Sequence, residues 1–366
     1  MTGEQRFRKP GTDGPPSGDE AFFREEVLLA LRNRGIPLEA LRYDVTPTGL
    51  HYLLTHFDIP FMEAGSWALT VDGLVERPLR LSLQDIMSKP ARTLRVTLEC
   101  AGNGRALMSE RAISQPWHVE AVSTADWTGV SLRDVLLESG VKPGAVDVVF
   151  TGADEGVQGE EVQLYQRSLP LAEALHEDTL LAFAMNGEPL PPQHGFPLRL
   201  IVPGWYGMAS VKWLQRIEVL DHAFTGFQMV HSYRYAATAD EPGEPVDRIQ
   251  ARALMAPPGI PDFMTRARLV SAGTWMLTGR AWSGRRGIDA VQVSVDRGAT
   301  WLDAILGPVA GPYAWRAWTC DWEATPGRYE LRVRAIDSEG AVQPDDQWNF
   351  YGMGNNMVQR VEVLVE

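Results

Sequence analysis

The sequence predicts an α+β domain followed by an all-β sandwich, and three observations carry that prediction. A chain of 366 residues exceeds what one compact core absorbs, so two domains are expected. Up to about residue 235, helical periods alternate with strand patterns. Beyond a Pro-, Ala- and acid-rich segment at 236–261, only short alternating strands and turns follow, as in a sandwich of about 100 residues. The expected divisions are a disordered polar tail over 1–20, a first domain over 21–235, a linker over 236–261 and a second domain over 262–366.

Taken in order, "AFFREEVLLALRNRG" (21–35) reads as a short amphipathic helix ended by Gly35. "SWALTVDGLV" (66–75) alternates like a strand and closes on an Asp-Gly turn signal. "LSLQDIMSKP" (81–90) reads as a helix capped by Ser82 and stopped near Pro90. "SLRDVLLESG" repeats that design, with Ser131 as cap and Gly140 as stop. "PLRLIVPGW" and "VKWLQRIEVL" are buried-strand candidates. In the last third, "WMLTGRAW", "IDAVQVSVDRGATW", "YAWRAWTCDW" and "YELRVRAID" supply the sandwich strands. Six of its tryptophans (Trp275, Trp282, Trp301, Trp315, Trp318 and Trp322) exceed what a small core easily absorbs. A two-fold homodimer using this aromatic surface is therefore expected.

Composition excludes several functions. A net charge of -13 opposes nucleic acid or an anionic membrane as the main partner, so any anion site must be local. The N-terminal stretch has no apolar signal-peptide core, and no run is long enough to span a bilayer, so a cytoplasmic protein is expected. The two cysteines, Cys100 and Cys320, fall in different expected domains, and a disulfide between them is not expected. No C-x-x-C or H-x₃-H spacing offers a protein-only zinc site.

One short stretch points to chemistry. In "RVTLECAGNGR" (95–105) a strand pattern stops on Cys100 and opens at once into Gly102, Asn103, Gly104 and Arg105. A lone cysteine is usually core. A thiol at a strand end beside a guanidinium instead suits a soft or redox-active metal, provided that a cofactor brings the remaining ligands.

"TLECAGNGR" resembles the molybdenum-binding segment of the sulfite oxidase family, where "CAGN" is followed by one or two arginines. "ISQPWHVEAVSTADWTGVSLRDVLLESG" and "LLAFAMNGEPLPPQHGFPLRLIVPGWYGMASVKWLQRI" resemble further family segments, in consistent order over about residues 45–366. The resemblance implies a sulfite-oxidase-type molybdopterin domain, then an immunoglobulin-like dimerisation domain. It also implies a molybdenum cofactor, a pyranopterin dithiolene completed by one protein thiolate. Residue by residue, Cys100 becomes the metal ligand. Thr55, His56, Asp154, His194, Arg199, Ser210, Val211 and Lys212 become cofactor contacts, while Arg105, Trp117 and Tyr233 become catalytic, with Tyr235 a rival for Tyr233. Arg199 and Lys212 suit a phosphate, and Asp154 and His194 suit a pterin edge. Trp205 and Trp213 read as core.

The substrate side departs from the pattern. Leu54 and Tyr351 stand where the family's sulfite oxidases carry arginines, and Gly104 replaces the first arginine after "CAGN". Each charge-assisted contact is worth roughly 1.5–3 kcal/mol, so two losses weaken sulfite binding on the order of a hundredfold. His51 and Arg234 are candidates to compensate. The implied activity is oxo transfer to or from a small anionic or oxo substrate, with sulfite oxidation one direction and S-oxide or N-oxide reduction another. The sequence shows no haem motif, so a separate electron acceptor is expected. A non-catalytic molybdopterin-binding protein is the reading from another class.

Overall fold

The computed structural model describes residues 24–109 and 111–366, so the expected tail lies outside the described residues. Two sheets build the first domain. One runs in the order 79–82, 68–73, 214–220, 147–158 and 161–170, with a single parallel pairing, between 68–73 and 214–220. The other sets 91–99 against 122–131, then 180–185, which pairs on with 199–201. Leu69, Val71, Phe150, Leu214 and Ile217 fill one core, and Leu98, Ala125, Trp127 and Ile201 belong to another. Among the described residues no helix is long and apolar enough to cross a membrane.

Local signals hold unevenly. Ser82 and Asp85 close a reciprocal capping box on helix Leu83–Met87. Helix Leu132–Ser139 ends on Gly140 in the left-handed region, as its sequence requires. Ser131, however, caps nothing, because its hydroxyl donates to the Glu177 carbonyl. The N-terminal helix is Arg24–Arg32 and stops before Gly35. Gly35 is no left-handed stop: a Cβ there would lie 2.3 Å from the Glu120 Cβ, so the glycine permits a close approach. Nor does that helix bury its apolar face. Glu26 is buried against Arg111, while Val27, Leu28 and Leu31 stay exposed.

The second domain is a sandwich of two sheets, of four and six strands. One sheet begins with Arg252–Ala256, inside the segment read as linker, and this strand pairs with 273–282 along its whole length. Proline and charge around it hide a five-residue strand from periodicity. The tryptophan surface expected for dimerisation is not there. Trp282, Trp315, Trp318 and Trp322 are all buried, and Trp275 and Trp301 are partly buried. Trp282 and Trp315 pack in the core shared with the first domain, which absorbs the excess aromatic area.

The domains are locked through an ion pair. Arg252 donates to Glu99 at 2.8 Å, and both side chains are almost wholly inaccessible. Trp282 donates to the second Glu99 oxygen at 2.8 Å, and Asn103 donates to the first at 2.9 Å. Removing one partner of such a pair strands a buried charge. Arg252→Ala should therefore lower stability by about 3–5 kcal/mol. Arg216→Ala, at the part-exposed pair with Asp72, should cost below about 1 kcal/mol. Urea denaturation midpoints compare the two, and equal losses would contradict the buried role.

Candidate active site

Cys100 directly follows the strand Ala91–Glu99, and the turn after it brings the Arg105 guanidinium close enough to favour the thiolate. Asn103 N–H donates to the Cys100 carbonyl, and Arg105 N–H to that of Gly102. A Cβ on Gly102 would lie 2.7 Å from an Arg105 terminal nitrogen, so only glycine leaves that space. The Arg105 side chain is buried among neutral acceptors: the Gln115 and Tyr351 carbonyls and the Met353 sulfur. Burial pushes the Cys100 thiol above its ordinary pKa; the turn's N–H groups, Arg105 and the Trp117 indole pull it back. Trp117 has no well-formed partner for its indole N–H and packs in the core behind the sulfur.

A narrow inner chamber of about 60 Å3 opens beside Cys100. His51, His56, Asp154, His194, Arg199, Ser210 and Lys212 line it, so five elements deliver most of the residues expected to hold a cofactor to one place. Arg199 donates to the His194 and Ser210 carbonyls at 3.0 and 3.1 Å, and Lys212 to the Leu54 and Gln193 carbonyls at 2.9 and 3.1 Å. Both cations lie over indoles, Arg199 over Trp127 and Lys212 over Trp213. Trp213 is buried as expected, yet it also faces the chamber. Val211 does not: its side chain belongs to the core. His51 lines the chamber, whereas Arg234 is occupied by the carbonyls of Met229, Pro242 and Gly243.

The chamber's own polar groups are short of partners. The second ring nitrogens of His51 and His194, one Asp154 oxygen and the Arg199 Nε are buried without a hydrogen bond. Burial lowers His51 and His56 to about 3, His194 to about 2 and Lys212 to about 7, and raises Asp154 to about 6. Desolvated cations with unused donors gain most from an anionic, hydrogen-bonding ligand.

A wider cleft of about 1040 Å3 meets the chamber at Leu54, His56, Cys100 and Tyr233. Thr55 and Tyr351 line this cleft, not the chamber. Tyr233 sits at positive φ, and its hydroxyl lies 2.5 Å from His56 Nε2, with Arg167 against the ring. Tyr235 instead packs against Gly354. Glu99, Arg252, Tyr165 and Arg167 escaped sequence reasoning. Glu99, an acid at an inward strand position next to the cysteine, gave the one local signal.

Residues 56–228 match the family model described as an oxidoreductase molybdopterin binding domain, and 261–366 match the Mo-co oxidoreductase dimerisation domain. The chain thus pairs a molybdopterin binding domain, whose cofactor is the molybdenum cofactor, with the dimerisation domain of molybdenum-cofactor oxidoreductases. Sulfite oxidase of Gallus gallus is 37% identical over 330 residues, 84% of this chain and 71% of that protein. Nitrate reductase [NADH] 1 of Oryza sativa subsp. japonica is 33% identical over 351 residues, 88% of this chain but 38% of that protein. The chain spans about two fifths of the length of the plant nitrate reductases it matches. The sulfane dehydrogenase SoxCD from Paracoccus pantotrophus superposes with a TM-score of 0.79 at 28% identity, covering 91% of this chain and 86% of that one. The chain belongs to the sulfite oxidase family.

The lysine gives a test of the chamber's electrostatics. In cofactor-free protein Lys212 should titrate near 7, against an ordinary 10.5. Between those values the unfolded chain holds the extra proton, so this group makes stability rise with pH across the window. Below pH 7 both states are protonated and the burial penalty is fully present. Cofactor loading should return the titration upward. An NMR titration of the lysine side chain checks this, and a value above 10 in the empty protein would reject it.

Proposed function

We propose that this protein is an oxotransferase of the sulfite oxidase type, with Cys100 as the protein's single ligand to molybdenum. The observation that carries the reading is the meeting of a buried thiol, a partner-starved polar chamber and an open cleft at one point. Among the described residues no group of three His, Cys, Asp or Glu side chains could hold a metal, so a metal at Cys100 takes its other ligands from the pterin. When bound, the cofactor supplies two-electron redox chemistry and an exchangeable oxo group.

The chain's own residues do the rest. Arg199, Lys212 and Ser210 would hold the cofactor's phosphate, and Asp154, His194 and His56 would serve the pterin. The Thr55 and Val211 N–H groups are already bonded to Asn33 and Ala209 and would serve only to shape the neighbouring loops. Arg105 orients the substrate's negative end, since its own partners are all neutral. Burial keeps the Tyr233 hydroxyl protonated, and neutral His56, as the tautomer whose Nε2–H donates to the hydroxyl oxygen, would leave the Tyr233 proton free to donate to an oxygen at the Cys100 end. Trp117 supports the sulfur from behind. The domains divide at the strand Arg252–Ala256, and the second domain forms a homodimer. Electrons leave to a separate acceptor. Two free, buried cysteines fit a reducing compartment such as the cytoplasm.

Two measurements test this. Protein from a host that makes the cofactor should carry about one molybdenum per chain by metal analysis. Cys100→Ser should alter the metal's visible absorption strongly, whereas Cys320→Ser should leave it unchanged. Zinc at full occupancy without a released pterin would end the reading.

Leu54 lines both chamber and cleft where the family's sulfite oxidases have arginine. Sulfite should therefore show a high KM, and Leu54→Arg should lower it by around tenfold, the scale of one charge-assisted bond. A micromolar KM in the unmodified protein would refute the inference.

A further inference from the structure

The cleft that ends on Cys100 is poorly suited to a small dianion. Sulfite fills roughly the space of three waters, on the order of 100 Å3, whereas the cleft, which shares its Thr55, His56 and Cys100 end with the cofactor, measures about 1040 Å3 in all. Leu28, Leu29, Ile113, Val157, Phe227 and Val230 line it. Leu28, Val157 and Val230 are 54%, 41% and 39% exposed, so this apolar surface is open to an occupant.

Its charges point the same way. Glu25, Glu161, Asp240 and Glu241 line the cleft, against Arg32 and Arg105. Arg32 is taken up by the Phe57 carbonyl and Asp58. Among the described residues that line the cleft, Arg105, buried at the Cys100 end and hydrogen-bonded to no carboxylate, is the cation left for a ligand. A dianion would cross an acidic field to meet a single counter-charge, whereas a head with one charge is matched by it.

We infer that the cleft takes an organic molecule with an apolar body and one polar head bearing at most a single negative charge. The head sits at Arg105 beside Cys100, and the body lies along the apolar walls towards Leu28 and Val230. The inference rests on Cys100 being the reaction centre and names the substrate class for that site.

The test uses full-length holoenzyme at pH 8 and three probes: benzenesulfinate, methanesulfinate and sulfite. The first two share a monoanionic head and differ in body. Binding is read from the metal's visible absorption and, independently of the metal, from tryptophan fluorescence. Benzenesulfinate should bind at least about tenfold tighter than methanesulfinate, the scale of burying a ring's extra apolar area, and sulfite should bind no tighter than methanesulfinate. Leu28→Asp and Val230→Asp, both on exposed wall positions, should erase most of the benzenesulfinate advantage and leave methanesulfinate binding unchanged. Equal affinities for the two sulfinates, tighter binding of sulfite, or wall variants without effect would overturn the inference. Molybdenum analysis of the same samples reports separately on the oxotransferase proposal, so the two can fail independently.

Discussion

The buried pair of Glu99 and Arg252 is the constraint on which the site depends. Glu99 is the last residue of its strand and directly precedes Cys100, whereas Arg252 opens a sheet of the second domain. Buried charges need partners, and here each Glu99 oxygen is bonded while one Arg252 terminal nitrogen donates both to Glu99 and to the Asn355 carbonyl. Asn355 in turn donates to the Gly104 carbonyl, and Gly354 N–H reaches the Ala101 carbonyl. The thiol-bearing turn is thus clamped by the first domain's strand on one side and the C-terminal segment on the other. The second domain therefore helps to shape the turn that carries Cys100.

The same turn shows how a guanidinium is kept available. Arg105 is anchored by two carbonyls and a thioether, contacts that fix its position without neutralising it. Gly352, at positive φ, brings the C-terminal segment against it so closely that a Cβ there would lie 2.8 Å from the arginine's Cγ. Burial disfavours the charge, Cys100, Tyr233 and Glu26 offset part of that penalty, and an anionic head at the Cys100 end would offset more.

Chamber and cleft divide the labour. The chamber gathers cations and unused donors in a desolvated space, an arrangement that favours an anionic, hydrogen-bonding cofactor over water. The cleft is apolar and acid-rimmed, with Leu54 at the junction. Different side chains of the same loops thus line the two spaces.

Much was fixed locally. The glycine turn after Cys100, the Ser82 cap, the Gly140 stop and the alternating strands of the sandwich follow from rules that act over a few residues. The resemblance in "CAGN", "HGFP" and "VKWL" likewise singles out Cys100, His194 and Lys212, which line one chamber. What required tertiary structure were partnerships across the chain. No local signal pairs Glu99 with Arg252, turns Trp282 and Trp315 into an interdomain core, or favours Tyr233 over Tyr235. Nor does periodicity show that helix Arg24–Arg32 would bury Glu26 and leave Leu28 and Leu29 beside a cleft. Sequence periodicity says which side chains share a face; which face meets which is decided only when distant segments compete for the same buried volume and the same counter-charge.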